Sequence, residues 1–270
     1  MKIDSRGEAW RSWVLENLSR YCFPKTMLAD MLNAGWPLSD AITAIDEGLG
    51  LLGRSSDWHI ALPQPSLNRG SFLLDRPRIQ LLPEILSRQE CTSLIELAMA
   101  KGMVPATVID QDDRGSVLHK GRSNSTVYFQ KQECQLIAQI EARLSELTNW
   151  PADRAEGLQI QHYLQGQQYE PHYDWFDPQA AGSTRHLARG GQRLATTVIV
   201  LQQAIVGGAT HFPKLGISLR PAIGEALFFQ NVDVTGTPDA STLHGGEPVE
   251  HGIKIIATFW QRARPCPDPG

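Results

Sequence analysis

Apolar residues recur at helical spacing through the first fifty positions and then give way to short alternating runs. Trp10, Trp13, Val14, Leu18 and Tyr21 fall at the spacing of one helix face. Pro24 suits the first turn of a second helix, with Met27, Leu28, Met31 and Leu32 along one side and Gly35 at its end. Ser39 is placed to cap a third helix carrying Ala41, Ile42 and Ile45. Short amphipathic helices of this kind need a partner surface, either one another or the rest of the chain.

The next stretch breaks the pattern. Ser, Pro, Asn and Gly dominate RSSDWHIALPQPSLNRGSFLLDRP, which reads as a linker or an extended covering segment. From residue 78, IQLLPEIL predicts a strand running into a turn. Ser87 starts a helix through ECTSLIELAMAKG that ends at Gly102, and another helix fits 131–147. Beyond Pro151, strands are predicted at 157–164, 194–201, 216–220, 225–230 and 252–261. Short strands separated by turns point to a β-sandwich or jelly-roll barrel, here with supporting helices. The proline-rich tail ARPCPDPG is expected to be loose. The chain thus divides into a helical N-terminal segment (1–53), a linker or covering segment (54–77), a main domain (78–265) and a tail (266–270).

Composition narrows the classes. A chain of 270 residues that is 41% hydrophobic can bury a substantial core. Its net charge of −4 argues against nucleic acid or another polyanion held by bulk electrostatics. Cys22, Cys91, Cys134 and Cys266 form no CxxC pair, so a cysteine-built zinc or redox site is not expected. The start MKIDSRGEAWRSW lacks the apolar core of a secretory signal, and LATTVIVL is too short to span a bilayer. The expectation is a soluble cytoplasmic protein with no membrane partner.

The candidate chemistry centres on Pro171-His172-Tyr173-Asp174. Side chains at i and i+2 of a strand share a face, so His172 and Asp174 can offer an imidazole and a carboxylate to one metal. His244, in TLHGGEPV, is a second imidazole, and Gly245 and Gly246 permit a tight turn beside it. Two histidines and one carboxylate on one side of a metal leave its other positions open, as in non-haem iron(II) oxygenases. An HxD pair is common by chance, and with eight histidines a distant third is easily found. Lys254 adds weight. The strand GIKIIATFW is apolar on both faces, and a lysine inside it is costly unless an anion meets it. A lysine that snorkels to the surface from the strand's end is the equal alternative.

Longer motifs separate these readings. LQIQHYLQGQQYEPHYDWF resembles the iron-binding strand of the prolyl 4-hydroxylase-like iron(II)/2-oxoglutarate-dependent dioxygenases. GGQRLATTVIVL and VGGATHFP are similar to that family's next two strands, and DASTLHGGEPVEHGIKIIATFW to its last. GRSNSTVYF and LLPEILSRQECTSLIELA resemble its approach segments, so the likeness covers about residues 78–262. It implies a double-stranded β-helix core and an enzyme that hydroxylates an unactivated C–H bond. Iron would be held by His172, Asp174 and His244. Lys254 would pair with the distal carboxylate of 2-oxoglutarate, Thr210 would hydrogen-bond it, and Tyr163 and Trp260 would line the pocket. Arg193 and Tyr169 would face the primary substrate. Dioxygen and 2-oxoglutarate would be consumed to give succinate and carbon dioxide, with ascorbate as a reductant.

The resemblance implies an amino-acid side chain as the target, either in a peptide or protein, such as proline, or in a free amino acid. Two departures, Ile255 after the lysine and Gln230 after LFF, put a prolyl substrate in doubt. The N-terminal helices fit a recognition module, a lid or a homodimer interface. The stretch AAGSTRHLARGG carries Arg185, His186 and Arg189 and reads as a substrate loop or a solvated flexible loop. A non-catalytic sensor and a zinc hydrolase are the competing classes. Complete ligands together with Lys254 argue against the first, and a zinc hydrolase has no use for that lysine.

Overall fold

The structure, a computed structural model, describes residues 2–54, 62–65, 70–109, 116–117 and 121–268. The chain separates into two compact units, 1–61 and 62–270. The first holds helices α1 (Glu8–Ser19), α2 (Pro24–Asn33) and α3 (Leu38–Leu51). Their apolar stripes meet in one cluster built on Val14, Leu18, Met27, Met31, Trp36 and Ile45. Pro24 opens α2, where its missing N–H leaves no bond unmade. Gly35 follows the helix at φ 79°, a conformation glycine adopts without strain. Two details differ from expectation. Tyr21 lies past the end of α1 and is exposed, with the Arg54 guanidinium over its ring. Helix α3 begins one residue before Ser39, because Pro37 accepts the first backbone bonds from Asp40 and Ala41.

The second unit opens with an antiparallel hairpin of β1 (Ser71–Asp75) and β2 (Arg78–Leu82). The segment read as a linker or an extended covering segment carries a strand. It was hidden because β1 is largely exposed on both faces and shows no apolar alternation. Helix α4 (Arg88–Lys101) starts at a capping box: Ser87 Oγ accepts from the Glu90 N–H, and the Glu90 carboxylate accepts from the Ser87 N–H. Next come β3 (Val104–Pro105), β4 (Val108–Ile109), β5 (Ser116–Val117), β6 (Ser125–Tyr128) and α5 (Gln135–Leu147). Helix α5 starts later than the sequence suggests because residues 131–134 form a turn, with Gln132 at φ 57°.

The remaining elements are β7 (Gln159–Tyr163), β8 (Tyr169–His172), α6 (Thr184–Gly190), β9 (Arg193–Gln202), β10 (Val206–Gly207) and β11 (Thr210–Phe212). They are followed by β12 (Ile217–Leu219), β13 (Ala226–Gln230), β14 (His244–Gly246), β15 (Val249–His251) and β16 (Lys254–Arg262). Eight strands form a major sheet in the order β1-β2-β13-β9-β16-β7-β6-β3, and four form a minor sheet, β12-β11-β14-β8. All pairings are antiparallel. This is the double-stranded β-helix expected. Strand β16 shows the layering: Ile255, Ala257 and Phe259 pack with α4 and α5, while Ile256 packs with Phe212 and Tyr163 between the sheets. All nine of its residues are buried, which is why the sequence is apolar on both faces.

Two further expectations change. The stretch read as a loop holds helix α6. The tail is held through Asp268: Cys266 is buried, its N–H donates to Asp153 O, and the Lys131 N–H donates to the Asp268 carboxylate. Among the described residues no helix is long and apolar enough to cross a membrane.

Candidate metal centre

Strand β8 pairs with β14 so that His172 lies directly opposite His244. This register, not sequence proximity, brings the two imidazoles together, with ring centroids 4.5 Å apart. Gly245 makes the approach possible. A Cβ there would sit 2.8 Å from Tyr169 O and 2.9 Å from the His211 ring, so its role is close strand packing rather than the turn expected. Asp174 lies two residues past His172, just beyond the end of β8.

The ligand atoms of His172, Asp174 and His244 all lie within 4.8 Å of one another. Nε2 of His172 is 3.7 Å from Asp174 Oδ1, and Nε2 of His244 is 3.6 Å from Oδ2. Each imidazole is oriented from behind: His172 Nδ1 is 2.9 Å from Glu170 O, and His244 Nδ1 is 2.9 Å from Thr242 O. A carbonyl only accepts, so Nδ1 carries the proton and Nε2 is left bare toward the carboxylate. Thr196 donates to Asp174 Oδ2 at 2.7 Å and itself accepts from Asn231 Nδ2 at 2.9 Å. Burial, then the neighbouring His244, push His172 down to about 3, so it is neutral at physiological pH. Burial works to raise Asp174, but His244, His172, Arg193 and the Thr196 bond outweigh it and hold the carboxyl at about 2. Two imidazoles with their outer nitrogens fixed, together with an ionised carboxylate, fit a divalent iron with open positions.

Lys254 is 5% exposed, and among the described residues its ammonium has no hydrogen bond or ion pair. Its nitrogen lies 5.4 Å from the Tyr163 ring centroid. Beside it is a cavity of about 20 Å³ lined by Gly208, Thr210, Leu219, Arg220 and Lys254, among others. Burial pushes the lysine down to about 8, Glu247 pulls it up, and Arg220 pushes it further down. The lysine is thus internal and not at the surface. Thr210 and Tyr163 are buried near it.

Arg193 is anchored by an ion pair with Glu156. Its Nε and Nη2 donate to the two oxygens of Glu156 at 2.6 and 2.9 Å, and Arg262 Nη1 shares Oε1 at 2.8 Å. The guanidinium lies 3.9 Å from the Trp260 ring centroid and 4.9 Å from that of Phe176. Trp260 is therefore stacked with Arg193. Tyr169 stacks on His172 with centroids 3.6 Å apart, and Arg122 lies 4.5 Å from its ring. Thr196, Asn231, Glu156, Arg262 and Arg220 were not found from the sequence. Each is a lone polar residue in a strand or loop, and only the fold shows what it faces.

The chain matches the family described as the 2OG-Fe(II) oxygenase superfamily over residues 158–262. It is 36% identical over 203 residues to probable prolyl 4-hydroxylase 3 of Arabidopsis thaliana, covering 68% of this chain and 69% of that one. Prolyl 4-hydroxylase 5 of the same plant is 35% identical, with 68% of each covered. Among solved structures, the viral collagen prolyl hydroxylase of Paramecium Bursaria Chlorella virus-1, in its 2OG complex, superposes with a TM-score of 0.54. It is 31% identical, and the match covers 68% of this chain and 96% of that one.

Proposed function

The chain belongs to the prolyl 4-hydroxylase-like branch of the 2OG-Fe(II) oxygenases, and from that premise we propose that it hydroxylates proline within a peptide or protein. It is an iron(II)- and 2-oxoglutarate-dependent dioxygenase, a hydroxylase that releases succinate and carbon dioxide. Iron, keto acid and dioxygen supply the oxidising power for an unactivated C–H bond when all are bound. In our reading His172, Asp174 and His244 hold the iron, and Lys254 with Thr210 takes the distal carboxylate of 2-oxoglutarate. Trp260 and Tyr163 wall the pocket. Arg193 and Tyr169, stacked on Trp260 and His172, border the place where the primary substrate meets the metal.

The observation that carries this reading is the buried ammonium of Lys254, with no hydrogen bond or ion pair among the described residues, inside the same barrel as three converging ligands. A buried charge without a partner is unfavourable, and a dicarboxylate bridging lysine and metal removes that cost. The prolyl target rests on the relatives, which are prolyl 4-hydroxylases by name. Ile255 faces the helices, and the Gln230 amide donates to Pro63 O.

The test is to incubate the full chain with iron(II), 2-oxoglutarate, ascorbate and proline-containing peptides in air. Succinate should form with a peptide that gains one oxygen on a proline ring. Oxygen incorporation into free amino acids but into no peptide would overturn the peptidyl assignment.

A further inference from the structure

A short polar chain runs along the inner wall of the barrel beside Lys254. On β7, Tyr163 and Gln161 face inward, while Ile160 packs on the helix side. The register places Tyr163 opposite Lys254 and Gln161 opposite Ile256. Tyr163 Oη lies 2.7 Å from Gln161 Oε1, and Gln161 Nε2 donates to Thr258 Oγ1 at 2.8 Å. All three side chains are buried. An amide oxygen has no proton to give, so the phenol is the donor in the first bond. A phenol has one proton, and here it is already committed.

That commitment matters because the tyrosine lines the anion pocket. With its proton on Gln161, Tyr163 offers only lone pairs to whatever lies beside Lys254. To donate to an incoming carboxylate it must release Gln161, which leaves a buried amide oxygen without a partner. An apolar residue at position 161 would continue the packing around Ile256 and leave the phenol free.

We propose that Gln161 competes with the distal carboxylate of 2-oxoglutarate for the Tyr163 proton, and so lowers the protein's affinity for its co-substrate. Gln161 is a positioning residue: it acts through the tyrosine. The inference rests on the assignment of Lys254 and its surroundings to 2-oxoglutarate.

The test is calorimetric titration of 2-oxoglutarate into the manganese(II)-loaded, oxygen-free full chain. Wild type is compared with Gln161→Leu, Gln161→Met, Tyr163→Phe, the Gln161→Leu/Tyr163→Phe double variant and Lys254→Ala. Gln161→Leu and Gln161→Met should bind about three- to ten-fold more tightly, the range that relief of one orphaned buried acceptor allows. They should do so despite a lower melting temperature from the lost hydrogen bonds. In the Tyr163→Phe background the Gln161→Leu gain should vanish. A glutamine with a purely structural role would loosen the pocket, so unchanged or weaker binding by both Gln161 variants overturns the proposal. A gain that survives in Tyr163→Phe overturns it as well. Wild-type affinity in Lys254→Ala would instead bring down the pocket assignment itself.

Discussion

The two ends of the barrel hold their functional groups in opposite ways. At the metal end each ligand has a second partner: Glu170 O behind His172, Thr242 O behind His244, and Thr196 on Asp174. At the other end Lys254 is buried with no hydrogen bond or ion pair among the described residues. The first site has its ligands oriented in advance by these partners. The second holds a charge that burial disfavours, that Glu247 offsets in part, and that an arriving anion would relieve further. The contrast fits the proposal that the first receives the cation and the second the distal carboxylate of the co-substrate.

The largest effect should come from breaking the metal end. Asp174→Ala removes the only carboxylate among the three ligands. Iron(II) affinity, measured by titration without oxygen, should fall more than about a hundred-fold, beyond what outer partners usually control. Circular dichroism should show an intact fold. Retained iron binding in this variant would break the comparison, because the preformed site would then not be the iron site.

Lys254→Met tests the other end. 2-Oxoglutarate should bind roughly 10–100-fold more weakly, since a buried hydrogen bond to a charged group contributes about 1.5–3 kcal/mol. Iron affinity should stay unchanged. In the absence of keto acid the variant should be more stable than wild type at pH 7, by up to about 3 kcal/mol for a shift of this size. The sign follows from the lysine's depressed value of about 8 against the ordinary 10.5. Between them the folded state binds fewer protons than the unfolded one. The penalty is therefore full below pH 8 and fades as pH rises toward 10.5. Conversely, 2-oxoglutarate affinity should decline above pH 8, as the ammonium is lost. Urea denaturation across this range checks the first claim and calorimetry the second.

The sequence made the metal end more legible than its supports. HxD, the distant His244 and the lysine in an apolar strand were visible because each places a costly residue in a recognisable pattern. Strand alternation also exposed most of the major sheet, with both faces of β16 covered. What stayed hidden was long-range pairing. Nothing in the sequence near Glu156 announces two arginines, and nothing near Thr196 announces Asp174 across 22 residues. The exposed strand β1 lacked the apolar alternation that marks a strand, and helix α6 was too short and too polar to read as one.

A third buried charge shows whether an uncompensated group is special to the keto-acid end. Glu141, on α5, accepts one hydrogen bond from the Gln132 N–H, and its Oε1 has no hydrogen-bond partner among the described residues. Burial raises its carboxyl to about 7; the Gln132 bond opposes this, Asp268 adds to it and Lys131 opposes it. The folded value lies above the ordinary 4.5, so the folded state holds the proton more tightly. Its contribution is present below pH 4.5 and is lost as pH rises through 7. Glu141→Gln should therefore be more stable than wild type at pH 8 by about 2–3 kcal/mol and nearly equal to it at pH 5. It should leave both iron and 2-oxoglutarate affinity untouched. That separates a buried charge that only costs stability from one that a ligand offsets.

The smallest effect should come from loosening the metal end without removing a ligand. Thr196 carries the Asn231 amide on one side and the Asp174 carboxylate on the other. Thr196→Val keeps the shape but removes both bonds, so Asp174 loses its orienting donor while its coordinating oxygens remain. Outer partners of metal ligands typically control about 10–100-fold in affinity. With Asp174 also held by burial, the lower end, about ten-fold weaker iron binding, is expected. Thr196→Ser should restore most of it, because the hydroxyl and not the methyl group makes the contact. If valine and serine variants bound iron equally well, the metal end would owe its geometry to strand register alone. The contrast with Lys254 would then lie in burial and not in preorganisation.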